Sequence, residues 1–163
     1  MVFTIVLLAF DLDKTLVTND YKLPPGTADA MAAARRRGHL VTVLTGRPLR
    51  SARPFLEQLE VSLPHAVNHG SLVRGPDGAT LRHKRLETEL VDSLLESHLS
   101  DPEVEFSAVV GDVLYVRDPE HERWTWVHAE SRTITRFRVG SGLAADKVVF
   151  HGNGRSSQLD GWV

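Results

Sequence analysis

Residues 2–10, VFTIVLLAF, form an unbroken apolar run rich in β-branched positions, and it stops abruptly at Asp11-Leu12-Asp13. Such a run suits a strand buried on both faces, as in a parallel sheet. The stretch LPPGTADAMAAARRRG follows, alanine-rich in its middle. Thr27 reads as an N-cap and Gly38 as the residue just past the helix end. A second apolar strand, HLVTVLTGR, ends in polar Thr45-Gly46-Arg47, and PLRSARPFLEQLE reads as a second helix with Pro48 near its start. HAVNHGSLV reads as a third strand. The alternation β-α-β-α-β predicts an α/β fold, a Rossmann-like parallel sheet with right-handed crossovers.

The pattern changes after this. GPDGA is a turn and TLRHKRL a short strand. ETELVDSLLESHL is helical, with Leu90, Val91, Leu94, Leu95 and Leu99 on one face. VEFSAVV, VLYVRD, RWTWVH and DKVVFHG then read as short strands between turns. The expected boundary is near residue 80, with an α/β domain over 1–80 and an α+β domain over 81–163.

Composition narrows the function classes. The 163 residues carry a formal net charge of −2, which argues against a broad nucleic-acid surface. The basic run ARRRGH falls at the expected end of the first helix and reads as a solvated C-terminus favoured by the helix dipole. With no cysteine there is neither a disulfide framework nor a thiolate metal site. The apolar start lacks a basic leader, is too short to span a bilayer and is followed at once by two aspartates. A cytoplasmic protein with no membrane partner is expected.

The candidate chemistry lies at the strand ends. Ligands of open parallel sheets bind beyond the carboxyl ends of the strands, where Asp11, Asp13 and Thr45 are expected. Asp11 and Asp13, two positions apart, point to the same side if the backbone stays extended. Two adjacent carboxylates repel, and a divalent cation relieves this. A hard cation there favours oxygen-rich substrates, phosphate esters above all. One carboxylate can attack phosphorus while the other protonates the leaving oxygen and later activates water. Thr45, Gly46 and the following helix N-terminus offer donors to phosphate oxygens. A lone DxD is a common turn former; the second strand ending in a matching polar donor is what lifts the pair above that reading.

FDLDKTLV resembles the first motif of the haloacid dehalogenase (HAD) superfamily, DxDxT/V, and VLTGR resembles its second. LTGRP, the spacer LPPGTADAMAAARRRG and NHGSLVRGPDG together resemble the Cof-type (class IIB) branch. The resemblance covers residues 3 to about 83 by motif and the cap-like remainder by pattern. It implies a phosphatase that hydrolyses a small phosphorylated metabolite through an aspartyl-phosphate, with Mg²⁺ as cofactor. Asp11 is then nucleophile and metal ligand. Asp13 is the general acid/base and a further ligand through its carbonyl. Thr45 holds the phosphoryl group, and Gly46 and Arg47 lie beside it. Thr15 orders the loop or caps it locally. His69 stands where the branch usually carries Asn, and reads as a substrate contact or as a surface histidine.

The family also needs a lysine and a later acidic motif. Gly111-Asp112 reads as a hairpin turn, Lys147 as a cap-strand lysine, Lys84 as a weak candidate, and Asp160 falls in the terminal tail. Trp124, Trp126 and His128 are expected to alternate on one strand. The chain thus reads as an incomplete core with a partial cap, either a fragment or a short form. Two further expectations follow. Without neighbours, strand one becomes an apolar edge that a homo-oligomer would cover. The alternative function is a non-catalytic HAD domain that binds phosphate or metabolite, or serves as an interaction module.

Overall fold

The computed structural model describes residues 4–101, 103–129 and 132–152. Two compact units divide between Lys84 and Arg85. Among the described residues no helix is long and apolar enough to cross a membrane.

In the first unit, β1 (Leu7–Phe10) lies parallel to β2 (Leu40–Val43), pairing Leu7 with Leu40 and Phe10 with Val43. The crossover between them carries α1 (Thr27–Arg36). Its N-cap is Gly26 at φ 82°, not Thr27, and no side chain caps it. Gly38, at φ 83°, ends the helix as expected. Arg35 is not merely solvated: it donates to the Leu59 carbonyl at 3.0 Å and to Glu60 at 3.3 Å. It thereby ties the end of α1 to the end of α2 (Leu49–Gln58). Met31 of α1 and Ala52 and Leu56 of α2 bury against Val41, Val43 and Val67.

The expected third strand is broken. β3 (His65–Val67) ends in a 3-10 turn over Asn68–Gly70, and the chain returns as β4 (Leu72–Arg74), antiparallel to β3 and to β5 (Thr80–His83). Asn68 and His69 both take left-handed φ, 50° and 55°, which no strand accommodates. β2 reaches β3 through a parallel bridge from Leu44 to Ala66.

Strand one also departs from expectation. It is not buried on both faces: Leu7 and Ala9 are exposed, and Leu8 and Phe10 half-buried. Among the described residues β1 pairs only with β2.

The second unit is α+β. Its sheet runs β8-β7-β6-β9, from β6 (Val104–Val110), β7 (Val113–Val116), β8 (Thr133–Arg136) and β9 (Lys147–Gly152). α3 (Thr88–Leu99) packs Val91 and Leu95 against Phe106, Ala108 and Phe137. Leu90, expected on that face, is exposed. Gly111-Asp112 is the two-residue turn of the β6–β7 hairpin, as expected. Buried Asp146 accepts from the Gly111 N–H at 2.6 Å and from Arg85 at 3.3 Å, pinning the turn. Lys147 starts β9 opposite Val109.

RWTWVH is not a strand. It forms a 3-10 turn (Glu122–Trp124) running into α4 (Thr125–Ala129). Residues two apart on a helix face opposite ways, so Trp124 is buried with Val109, Leu114 and Val127 while Trp126 is exposed. The side chain of His128, and Asp160 altogether, lie outside the described residues.

Burial beside Trp124, reinforced by Arg123 and Lys147, pushes the His151 imidazole below its ordinary range. The unfolded chain therefore binds this proton more readily than the folded one. The resulting stability is complete above the ordinary histidine range and is lost as pH falls through it. Urea unfolding from pH 8 to pH 5 should show stability declining with acidification, and a shallower decline in His151→Gln. An unchanged slope in the variant would remove His151 as a cause. His65 shifts the same way, through burial first, opposed by the Leu63 carbonyl and aided by Arg74, and contributes to the residual slope.

Candidate active site

Three parallel strand ends meet at one height. Leu44 N–H donates to the Phe10 carbonyl, Thr45 N–H to Ala66, and His69 N–H to the Thr45 carbonyl, each at 2.9–3.1 Å. Asp11 and Asn68 thus directly follow β1 and β3, and Thr45 lies two positions past β2. A cavity of about 530 Å³ opens there, lined by Asp11, Asp13, Thr45, Gly46, His69 and Gly70 among others. Of the five residues expected to carry chemistry, four share this cavity, and the fifth, Arg47, reaches it through Asp13.

The loop after β1 is tightly wound. The Leu12 carbonyl accepts from the N–H groups of Thr15, Leu16 and Val17, and Lys14 turns the chain at φ 59°. Leu12, Leu16 and Val17 are buried, which anchors the loop in the core and leaves Asp11 exposed and Asp13 half-exposed. Thr15 contributes its N–H to this winding.

Arg47 does not point at open cavity. Its Nε lies 3.1 and 3.0 Å from the two Asp13 carboxylate oxygens, and its Nη2 2.6 Å from one of them. The guanidinium carbon sits 4.8 Å from the Phe55 ring centre and 5.2 Å from that of Tyr21. A planar cation between two aromatic faces has little freedom, so Asp13 is held in one orientation by a largely buried partner. Thr45 is buried, and its Oγ1 accepts from the Arg47 N–H at 3.2 Å.

The sequence reading passed over Asn68. It is buried, its Oδ1 has no hydrogen-bond partner among the described residues, and its N–H donates to the Arg47 carbonyl at 2.8 Å. The signal was the triplet Asn-His-Gly, three residues that accept left-handed backbone at the end of a β-branched strand. Tyr21 and Phe55 carried no such signal, since only the folded chain brings them to Arg47. Lys84 is exposed after β5, and its N–H donates to the Ser71 carbonyl. Among the described residues, no group of three or more His, Asp or Glu side chains could hold a metal ion.

The model of the haloacid dehalogenase-like hydrolases matches residues 8–147. The chain is 30% identical over 118 residues to a 5-amino-6-(5-phospho-D-ribitylamino)uracil phosphatase of Bacillus subtilis, covering 71% of this chain and 44% of that protein. It is 30% identical over 92 residues to an HMP-PP phosphatase of Serratia proteamaculans, covering 56% of this chain and 34% of the relative. The chain thus spans less than half the length of these curated relatives. A crystal structure of a HAD-superfamily phosphatase from Bacteroides thetaiotaomicron superposes with a TM-score of 0.72 at 15% identity, over 95% of this chain and 58% of that one. A haloacid dehalogenase-like hydrolase from B. subtilis superposes at 0.69 and 18% identity, over 96% and 65%. With the DxD loop, the Thr-Gly-Arg strand end and the Asn-His-Gly turn converging on one cavity, the chain belongs to the haloacid dehalogenase-like hydrolase family, in its Cof-type branch.

Proposed function

We propose that this chain carries the nucleophile and phosphate-binding half of a Mg²⁺-dependent phosphatase for a small phosphorylated metabolite. The observation that carries the reading is the convergence of Asp11, Asp13, Thr45 and Gly46 on one cavity at parallel strand ends. The phosphatases named among its relatives point to the same substrate class.

In this reading an Asp11 oxygen attacks phosphorus, forming a carboxyl–phosphate bond as the bond from phosphorus to the leaving oxygen breaks. Asp13 gives its proton to that oxygen. In the second half Asp13 takes a proton from water, which attacks phosphorus and releases Asp11 and phosphate. Thr45 and the Gly46 backbone steady the non-bridging oxygens. Arg47 positions Asp13. The donors on offer, the Asp11 carboxylate and the Asp13 backbone carbonyl, are hard oxygens, which fits Mg²⁺. When bound, the ion would offset charge on the phosphoryl oxygens.

The test is metal affinity. With two aspartates at the site and one of them engaged by Arg47, Mg²⁺ should bind this 163-residue chain more weakly than micromolar. Asp11→Asn should abolish the heat seen by titration calorimetry. Sub-micromolar binding, or binding unchanged in Asp11→Asn, would remove Asp11 as the ligand.

The proposal extends to assembly. The exposed side of β1 is proposed to join a second copy of this chain, since among the described residues β1 pairs only with β2 and Ile5 and Leu7 are exposed.

A further inference from the structure

Gly46 does not need glycine for its own backbone, because its φ is not among the positive ones. What requires glycine is a neighbour. A Cβ built on Gly46 would fall 2.3 Å from Cε1, 2.6 Å from Nε2 and 3.0 Å from Nδ1 of His69, all far inside contact distance. The imidazole therefore lies against the Gly46 Cα, occupying the space of the missing side chain. It is brought there by a costly backbone. Asn68 and His69 are consecutive non-glycine residues at φ 50° and 55°, a conformation sparsely populated by such residues and found where surrounding structure fixes it. Three bonds fix it here, from Asn68 N–H to the Arg47 carbonyl, from His69 N–H to Thr45, and from Ser71 N–H to Asn68. The strained turn and the bare Cα have one shared result: an imidazole on the wall of the cavity that also holds Asp11 and Thr45.

We infer that His69 is a substrate-contacting residue, its ring donating to an oxygen of the bound phosphate monoester, and that Gly46 is a positioning residue that lets the ring reach it. The inference rests on the phosphoryl-transfer reading of the cavity and adds a contact to it. His69 is exposed at the mouth of the cavity, and exposure alone would need neither the strained turn nor the glycine.

The two residues make a coupled test. Gly46→Ala keeps the backbone N–H, and the nearest atoms its Cβ meets belong to the His69 ring, so the imidazole should be displaced with the fold kept. His69→Gly removes the ring and tolerates φ 55° without strain. The full chain with Mg²⁺ is titrated with orthophosphate and read by NMR of the histidine rings. In wild type the His69 resonances should move. His69→Gly should weaken phosphate binding roughly tenfold, the loss of a hydrogen bond to a charged group. Gly46→Ala should weaken it similarly, and the double variant no further than His69→Gly alone. Two independent losses that multiply, or His69→Gly binding as wild type does, would overturn the inference while leaving the phosphate site standing. Failure of wild type to bind orthophosphate at all would sink the phosphoryl-transfer reading and this inference together.

Discussion

Asp11→Ala should reduce phosphate release from an aryl phosphate to background, a loss on the order of 10³-fold or more from whatever rate the wild-type chain shows. The expectation is this large because Asp11 is the proposed nucleophile, the group that would form the new bond to phosphorus; no neighbour could substitute by orientation alone. Asp13 is held by Arg47 at 2.6 Å, and Thr45 has no carboxylate to offer. The wild-type rate itself should be slow. The Arg47 guanidinium beside the cavity is engaged by Asp13, and the loss of one stabilising group from the phosphoryl oxygens typically costs about 10²–10³-fold. The measurement is steady-state phosphate release by wild type, Asp11→Ala and Asp11→Asn, with circular dichroism to show that each is folded. Release surviving in Asp11→Ala would end the assignment of Asp11 as nucleophile.

The second large effect concerns assembly. Ile5 and Leu7 are 67% and 60% exposed, and Leu40, the β2 partner of Leu7, is 46% exposed. These residues form a continuous apolar surface along an edge whose outward amides and carbonyls have no strand beside them among the described residues. Both liabilities are removed if two copies meet through this side, and a two-fold arrangement is the commonest way for identical chains to do so. Light scattering of the purified chain should give a dimer or larger species. Val6→Lys places a charge on the same edge, beside Ile5 and Leu7, and should shift the mass to monomer. A wild-type chain that stays monomeric and soluble at micromolar concentration would overturn this proposal.

Much of the candidate site was legible because the residues that line it fall in local strings. Asp11-Leu12-Asp13 and Thr45-Gly46-Arg47 follow apolar runs, and an apolar run ending in a polar string marks a strand end wherever the sheet lies. The contacts that cross between strings were not legible. Arg47 was expected beside the phosphate and is found on Asp13, 34 positions away in sequence, between rings contributed by a loop and by α2. The break after β3 was hidden because HAVNHGSLV keeps its hydrophobic character on both sides of the turn, and periodicity cannot see a left-handed pair of residues inside it. RWTWVH was misread for a related reason. Alternating aromatic and polar residues satisfy a strand pattern, but the 3-10 turn and α4 together need only Trp124 and Val127 facing inward, and these are three apart, a helical spacing. β1 shows a different limit. Its composition is that of a strand with layers on both sides, yet composition reports what a strand can tolerate, not which neighbours are beside it.

The parallel pairing of β1 with β2 also bears on how the chain is made. Leu7 must wait for Leu40, more than 30 residues later, before its first strand partner exists. At synthesis rates of about 5–20 residues per second, that is an interval of roughly two to seven seconds. The hairpin of β6 and β7, closed by Gly111 and Asp112 alone, waits for nothing comparable and can zip within about ten microseconds of emerging. The segment that ends in the proposed nucleophile is thus the most apolar part of the nascent chain and the longest without a partner. During that interval the two carboxylates at its end interrupt the apolar run, the placement by which flanking charges oppose aggregation.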